Sequence, residues 1–318
     1  MHDMTAATID APTHAQGSRP EPRGLDAARC RAAARQIRKY TLQMTLAAGP
    51  LGAHAGGALS MVEILSVLYL DVLRYDVKNP LSEQRDRFIL SKGHGAPSFY
   101  AALCLAGFLD EKELATFKAN ETRLHGHPAM DPSRGIEFSS GSLGQGLSLG
   151  VGTALALKIR GNDVSRVFVL LGDGECDEGS VWEAAMSAAH FGLRNLVAIV
   201  DRNGMQYDGC TGPVMDTGDL ATKWRSFGWV VRDVDGHDVS ALHDALASSP
   251  AGPGTSAGAP LAIIAHTIRG KGVSFMENAR VWHHSRLTQA MFDQAMAEQD
   301  ASAETAPEPP EPGGSKRP

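Results

Sequence analysis

The sequence predicts an α/β fold, a single three-layer domain in which a mostly parallel sheet is covered by helices on both faces. Three observations carry this. Four short β-branched runs, at 167–171, 196–200, 229–234 and 261–265, alternate with or follow stretches of helical apolar spacing. No hairpin signal separates them, so the connections are right-handed βαβ crossovers. The chain has 318 residues, 43% of them hydrophobic, enough to bury a full core as one large α/β domain or two small ones.

The elements follow in chain order. Residues 1–24, with Pro12, Pro20 and Pro22, are rich in proline and charge and poor in large apolar groups, so they cannot offset their ordering entropy and are expected to be disordered. Helical spacing runs from Leu25 to Ala48, Leu59 to Arg74, Leu143 to Ile159 and Val181 to Phe191. The Ser/Pro/Gly/Ala stretch 248–260 is a surface loop inside the domain, because a strand follows it directly. These features place the domain at 25–292 and a disordered tail at 301–318. The sequence shows no internal repeat.

Charge and composition exclude several function classes. Formal net charge is -6, from 36 acidic and 30 basic residues, so no global positive field exists to hold a nucleic-acid backbone or an anionic membrane. Arg31, Arg35, Arg38 and Lys39 share one face of the first helix, and the expectation for such a stripe is a solvated face. The cysteines Cys30, Cys104, Cys176 and Cys210 are far apart and form no C-x-x-C pair, which points away from zinc or disulfides. No apolar stretch is long enough to span a bilayer, and the polar N-terminus lacks a secretory core. A soluble, cytoplasmic protein is expected.

In open parallel sheets ligands bind beyond the carboxyl ends of the strands. Gly172-Asp173-Gly174 follows the run at 167–171, and Asn203 follows the run at 196–200. Their separation accommodates a strand end, a crossover helix and the next strand, so the fold can set them side by side. The Asp173 carboxylate, the Asn203 amide oxygen and the backbone carbonyl of Met205 would give a hard cation such as Mg2+ three oxygens, leaving the rest of its shell to diphosphate and water. Gly172, Gly174 and Gly204 keep Cβ atoms out of the approach, and the helix opening near Glu178 can aim N–H groups at an anion. The triplet alone fits an ordinary turn. The second strand end, with its asparagine at crossover spacing, makes the pattern specific.

Residues 172–185 (GDGECDEGSVWEAA), followed by 195–204 (NLVAIVDRNG), resemble the thiamine-diphosphate motif of transketolases, especially their separately encoded N-terminal subunits. Segments 86–94 (DRFILSKGH), 125–128 (HGHP), 141–146 (GSLGQG), 234–238 (VDGHD) and 265–272 (AHTIRGKG) agree, and together they extend the resemblance over about residues 25–290. It implies a thiamine-diphosphate-binding fold, with thiamine diphosphate and Mg2+ as cofactors. It further implies that His54, His94, His127 and His283 line a donor channel, and that Gly144 and Gln145 hold the aminopyrimidine. Glu178 and Glu183 would contact the neighbouring half of the site. Without the resemblance, Gly144 and Gln145 fit a simple loop opening a helix, and the two glutamates fit solvated helix positions. The family usually reads Trp-His-Gly at the last histidine, whereas this chain reads Trp282-His283-His284.

In transketolases the glutamate that tautomerises the aminopyrimidine lies on a pyrimidine-binding domain, after the diphosphate-binding one. This sequence ends soon after Trp282, so the resemblance implies one subunit of a split transketolase. A C-terminal partner subunit would complete the site, self-association would give an α2β2 assembly, and the substrates would be sugars or sugar phosphates. Two alternatives share the motif. One is another thiamine-diphosphate component, a deoxyxylulose-phosphate synthase or the α subunit of a 2-oxoacid dehydrogenase. The other is a non-catalytic, cofactor-binding orphan subunit.

Overall fold

A computed structural model of the chain describes residues 25–247 and 258–304. The expectations for 1–24, for most of the 248–260 loop and for 305–318 fall outside the described residues.

The described residues form one five-stranded sheet of β1 (Arg87–Leu90), β2 (Val167–Gly172), β3 (Leu196–Arg202), β4 (Val230–Asp235) and β5 (Leu261–His266), in the order β1-β2-β3-β5-β4 and parallel throughout. The first helices are α1 (Ala27–Ala47), α2 (Ala55–Leu59), α3 (Val62–Val67), α4 (Ala96–Leu105), α5 (Glu111–Leu114) and α6 (Gln145–Ile159). They are followed by α7 (Gly179–His190), α8 (Thr211–Val214), α9 (Leu220–Ser226), α10 (Val239–Ala247) and α11 (Gln289–Glu304).

Strand residues alternate between two cores, as the period of two requires. Phe88, Phe168, Leu170, Ile199 and Ile263 face one core, where α1, α3, α4 and α10 contribute Ile37, Leu65, Phe99 and Leu242. Ile89, Val169, Leu171, Val200 and Ile264 face the other, closed by Val151, Val181 and Trp224 of α6, α7 and α9. Gly150 lets α6 lie close on the sheet, since a Cβ there would come within 2.5 Å of Val169 Cγ2.

Four sequence-based expectations are corrected. Strand β1 lies inside a segment that carries the resemblance and does not stand out as a fifth β-branched run. The helix expected from Leu59 to Arg74 is broken into α2, α3 and a π turn at Leu68–Val72. At the first break Ser60 turns its hydroxyl to the Gly57 carbonyl, at 3.1 Å, and to Asp201 Oδ2, at 2.6 Å. Arg38 is not on a solvated face: it is buried, paired with the buried Glu63, and donates to the Lys271 carbonyl at 3.1 Å. Finally, α11 carries the domain past 292 and includes residues 301–304, which the sequence assigns to the tail. Lys39 of α1 pairs with Asp300 of α11.

Candidate active site

The carboxyl ends of β2 and β3 lie side by side, with Gly172 in register with Asp201. Beyond them the Gly204 N–H donates to Asp173 Oδ2 at 2.6 Å and the Gly174 N–H to Oδ1 at 2.9 Å, so one carboxylate joins the two strand-end turns. Asn203 Oδ1 accepts from the Met205 N–H at 3.1 Å, and its Nδ2 donates to Asp201 Oδ2 at 3.3 Å. The Met205 carbonyl accepts from Arg269 Nη1 at 3.0 Å. Asp173, Asn203 and Met205 are therefore neighbours, and each of the three oxygens keeps a free lone pair.

Burial, with the Asp201 carboxylate behind it, pushes the Asp173 carboxyl up to about 6 despite its two backbone hydrogen bonds. A divalent cation would reverse that penalty, and hard oxygens from carboxylate, amide and carbonyl suit Mg2+. Among the described residues no group of three or more His, Cys, Asp or Glu comes together as metal ligands, and the proposed set contains only one carboxylate. A diphosphate also fits. Gly204 opens onto free space, with φ +73°, and Arg269 brings a buried guanidinium whose Nε has no hydrogen-bond partner among the described residues. Gly174 plays a different part from the one expected, because a Cβ there would meet Gln206 Cβ at 2.9 Å.

Behind this edge lies a buried ion pair. The Lys92 ammonium bonds Asp201 Oδ2 and the Gly57 carbonyl, the latter at 2.8 Å, and both charged side chains are fully buried. Thr267 and Ser60 also donate to the Asp201 carboxylate. Burial alone would raise the Asp201 carboxyl, but the Lys92 charge and these hydrogen bonds outweigh it and hold it below the usual carboxylate range.

Gly144 takes φ +80° ahead of α6 and donates to Glu175 Oε1 at 2.8 Å, while Gly172 donates to Oε2 at 3.0 Å. A Cβ on Gly144 would lie 2.7 Å from both Glu178 Cβ and Ser180 Oγ. The buried Glu175 thus ties the Gly144 turn to the end of β2. Gln145 is exposed at the first position of α6, and Glu178 and Glu183 are exposed at the start and middle of α7. These three side chains point to solvent at the rim and take no part in the Asp173 turn.

The histidines come together. His54 stands where the Ala53–Ser285 bridge meets α2, with ring centroids of His94 at 5.7 Å, His127 at 5.5 Å, His283 at 5.3 Å and His284 at 4.5 Å. Gly57 makes room for His94, whose ring would sit 3.0 Å from a Cβ there. Arg269 Nη2 reaches His283 Nδ1 at 2.6 Å, and since a guanidinium only donates, the neutral His283 ring carries its proton on Nε2. Arg269 therefore links the cluster to the Met205 carbonyl.

Burial, then the repulsion a charged ring would meet from His284, His283 and His127 when they are protonated and from the Lys118 ammonium, lowers His54 to about 3. Burial and Arg269 lower His283 to about 4, and His94, His127 and His284 shift in the same direction, each chiefly through burial. The cluster is neutral at pH 7, so its nitrogens can donate and accept hydrogen bonds to hydroxyls and a carbonyl.

The unfolded chain takes up a proton on His54 below about 6.5, whereas the folded chain does so only near 3. Stability therefore falls as pH drops below about 6.5. Between pH 7 and 5, and allowing for partial solvent screening, this histidine contributes about 1–2 kcal/mol of that loss. Urea unfolding of the parent and of His54→Gln at the two pH values checks this. The variant should lose less stability, and parallel losses would count against the shift.

Sequence reasoning did not single out Lys92, Asp201, Thr267, Glu175 or Arg269. Lys92, Thr267 and Arg269 lie inside segments that carry the resemblance, and a charged residue beside a strand end was the available signal. Asp201 and Glu175 lie inside such segments too, at 195–204 and 172–185, but only tertiary packing puts their carboxylates behind the site.

Residues 31–302 match the family described as transketolase, thiamine diphosphate binding domain. The chain is 42% identical over 263 residues to the 6-deoxy-6-sulfo-D-fructose transketolase subunit SqwG of a Clostridium species, covering 82% of this chain and 93% of that protein. It is 41% identical over 251 residues to one of the subunits of the apulose-4-phosphate transketolase of Actinobacillus succinogenes, covering 79% and 88%. The structure resembles that of transketolase from Campylobacter jejuni, with a TM-score of 0.78 and 26% identity over 87% of this chain. The match spans 43% of the Campylobacter chain, so this chain corresponds to less than half of it.

Proposed function

From the premise that the chain belongs to the transketolase thiamine diphosphate-binding domain family, we propose that it is the N-terminal subunit of a split transketolase. With a C-terminal partner it would transfer a two-carbon ketol unit from a ketose, preferentially a phosphorylated one, to an aldose. The observation that carries this reading is the Gly204-to-Asp173 hydrogen bond of 2.6 Å, which sets Asp173 beside Asn203 at the carboxyl edge of the sheet. Both relatives are named as single subunits of transketolases, which supports the division between two polypeptides.

Asp173, Asn203 and the Met205 carbonyl would hold Mg2+, with the diphosphate over Gly204 and countered by Arg269. When bound, thiamine diphosphate supplies a nucleophilic carbon and an electron sink for the ketose carbonyl. The chain's own residues position the sugar. The neutral rings of His54, His94, His127 and His283 orient its hydroxyls and carbonyl, and the Nε2–H of His283 can stabilise charge developing on oxygen. Gly144 and Gln145 would hold the aminopyrimidine, and Glu178 and Glu183, both exposed, would face the partner. That partner would bring the glutamate acting on the ring. We further infer a cytoplasmic α2β2 assembly; among the described residues no helix is long and apolar enough to cross a membrane.

The test is ketol transfer with thiamine diphosphate and Mg2+, with and without a candidate pyrimidine-domain partner. Transfer is expected only with both chains. Full activity of this chain alone refutes the division of the site, and turnover of pyruvate in place of a ketose favours a deoxyxylulose-phosphate synthase-like enzyme or a 2-oxoacid dehydrogenase component.

A further inference from the structure

Arg269 makes two contacts at the edge of the site, to the Met205 carbonyl and to His283 Nδ1, and its backbone is gripped on both sides. One residue before it, the Ile268 N–H donates to His237 Nε2 at 2.8 Å; two residues after it, the Lys271 carbonyl accepts from Arg38 Nε at 3.1 Å. Both grips end on one carboxylate. Glu63 of α3 pairs through Oε1 with Arg38 Nη2, and its Oε2 lies 3.0 Å from His237 Nδ1. The bonds from Ile268 through His237, Glu63 and Arg38 to Lys271 thus close a ring around the segment that carries Arg269.

This ring of bonds fixes a tautomer. A proton on His237 Nε2 would face the Ile268 N–H donor to donor, so Nε2 keeps its lone pair and the imidazole proton is on Nδ1, donated to Glu63. The backbone of His237 is set as well, by a 2.8 Å bond from its N–H to Asp235 Oδ1. Gly236 before it donates to the His266 carbonyl at 2.7 Å, which fastens the turn between β4 and α10 to the end of β5. At the other grip the chain packs directly on Arg38, because a Cβ on Gly272 would come within 2.8 Å of its Nε. Among the described residues His237, Glu63 and Arg38 form no hydrogen bond to the Asp173 turn or to the histidine cluster, so they reach the site through Arg269.

We propose that His237 is a positioning residue of the site: held by Glu63 as the Nδ1–H tautomer, it fixes the backbone at Ile268 so that Arg269 aims its guanidinium at His283 Nδ1 and keeps that ring oriented with its proton on Nε2. A guanidinium that only donates permits no other tautomer of the neutral His283 ring, and its bond also stops the ring from turning. The consequence for catalysis, an Nε2–H held ready for charge on a ketose oxygen, rests on the ketol-transfer reading; the linked tautomers do not.

Proton–nitrogen correlation NMR of the imidazoles in the full chain reads both tautomers, with His237→Gln and His283→Gln assigning the signals. In the parent, His237 should be the Nδ1–H form and His283 the Nε2–H form; either ring in the opposite form overturns the proposal, whatever the variants do. In His237→Ala the His283 signals should move toward those of an unbonded imidazole with mixed tautomers. In His237→Gln, whose amide oxygen can accept from the Ile268 N–H, they should stay near the parent's. Arg269→Met should release His283 and leave the His237 tautomer in place. Unshifted His283 signals in folded His237→Ala mean that His237 supports the fold alone, and overturn the proposal. With the partner, at saturating thiamine diphosphate and Mg2+, His237→Ala should lower kcat about tenfold, within the roughly 100-fold that misplacing a group by about 1 Å can cost. KM should stay within about threefold, as for an interaction that strengthens in the transition state, and His237→Gln should recover most of the rate. An unchanged kcat overturns the catalytic consequence. If the parent turns over no ketose, the ketol-transfer reading fails while the tautomer result stands on the chain alone.

Discussion

Replacing Asp173 by asparagine is expected to weaken Mg2+-dependent thiamine diphosphate binding by at least about 100-fold, the upper end of what altering the shell behind a metal ligand costs. The same substitution should leave the unliganded fold close to its original stability. In the unliganded chain the carboxylate is buried near Asp201 and its pKa is raised to about 6. A folded-state pKa raised above the unfolded value near 3.8 makes stability fall as pH rises through that window. At pH 7 the ionised group costs on the order of 3 kcal/mol. Asparagine removes that cost but accepts only one of the two backbone N–H bonds that Asp173 accepts from Gly174 and Gly204, a loss of about 1–3 kcal/mol. The two terms nearly cancel. Calorimetric titration with and without Mg2+, beside urea unfolding of the unliganded chain, separates the effects. Retained tight binding would mean that the cation lies elsewhere, and a large loss of stability would mean that Asp173 is chiefly structural.

Lys92→Met should have the opposite signature, with a large structural cost. It leaves the Asp201 carboxylate fully buried without its counter-ion and removes the tie to the Gly57 carbonyl. Breaking a buried pair from one side costs about 3–5 kcal/mol. Ser60, Thr267 and Asn203 all donate to that carboxylate, so the loss loosens the start of α3, the end of β5 and the turn after β3 together. Adding Asp201→Asn should recover part of the loss, because no buried charge remains while an amide oxygen can still accept. Denaturant midpoints of the parent, the single variant and the double variant test this. If the double variant is no more stable than Lys92→Met, the cost arises from packing and not from an isolated charge.

Much of the arrangement was legible in the sequence because it is written locally. The apolar runs became parallel strands, β2, β3 and β5 buried on both faces and the edge strand β4 largely exposed or half-buried, and Asp173 and Asn203 lie just past two of them because adjacent parallel strands end together. The resemblance implied that His54, His94, His127 and His283 share one channel, whereas the residues by themselves do not show their convergence, since they come from four separate loops. The helical reading of Leu59–Arg74 failed because periodicity ignores a side chain like Ser60, which leaves the helix to bond a distant carboxylate. The reading of Arg38 as solvated failed for the same reason: its partner, Glu63, is on another helix, and burial opposes its ionisation, yet Arg38 and His237 hold its carboxyl down to about 2. Buried charges are set by partners remote in sequence, and spacing within one helix cannot report them.

The central claim is that this chain holds the cation and diphosphate but not the group that activates the ring. The rate at which the C2 proton of bound thiamine diphosphate exchanges with deuterium tests it most directly. With Mg2+ and this chain alone, binding should occur with exchange near the rate of the free cofactor, and adding the pyrimidine-domain partner should accelerate it by orders of magnitude. Acceleration by this chain alone, to the rate seen with the partner, would contradict the account.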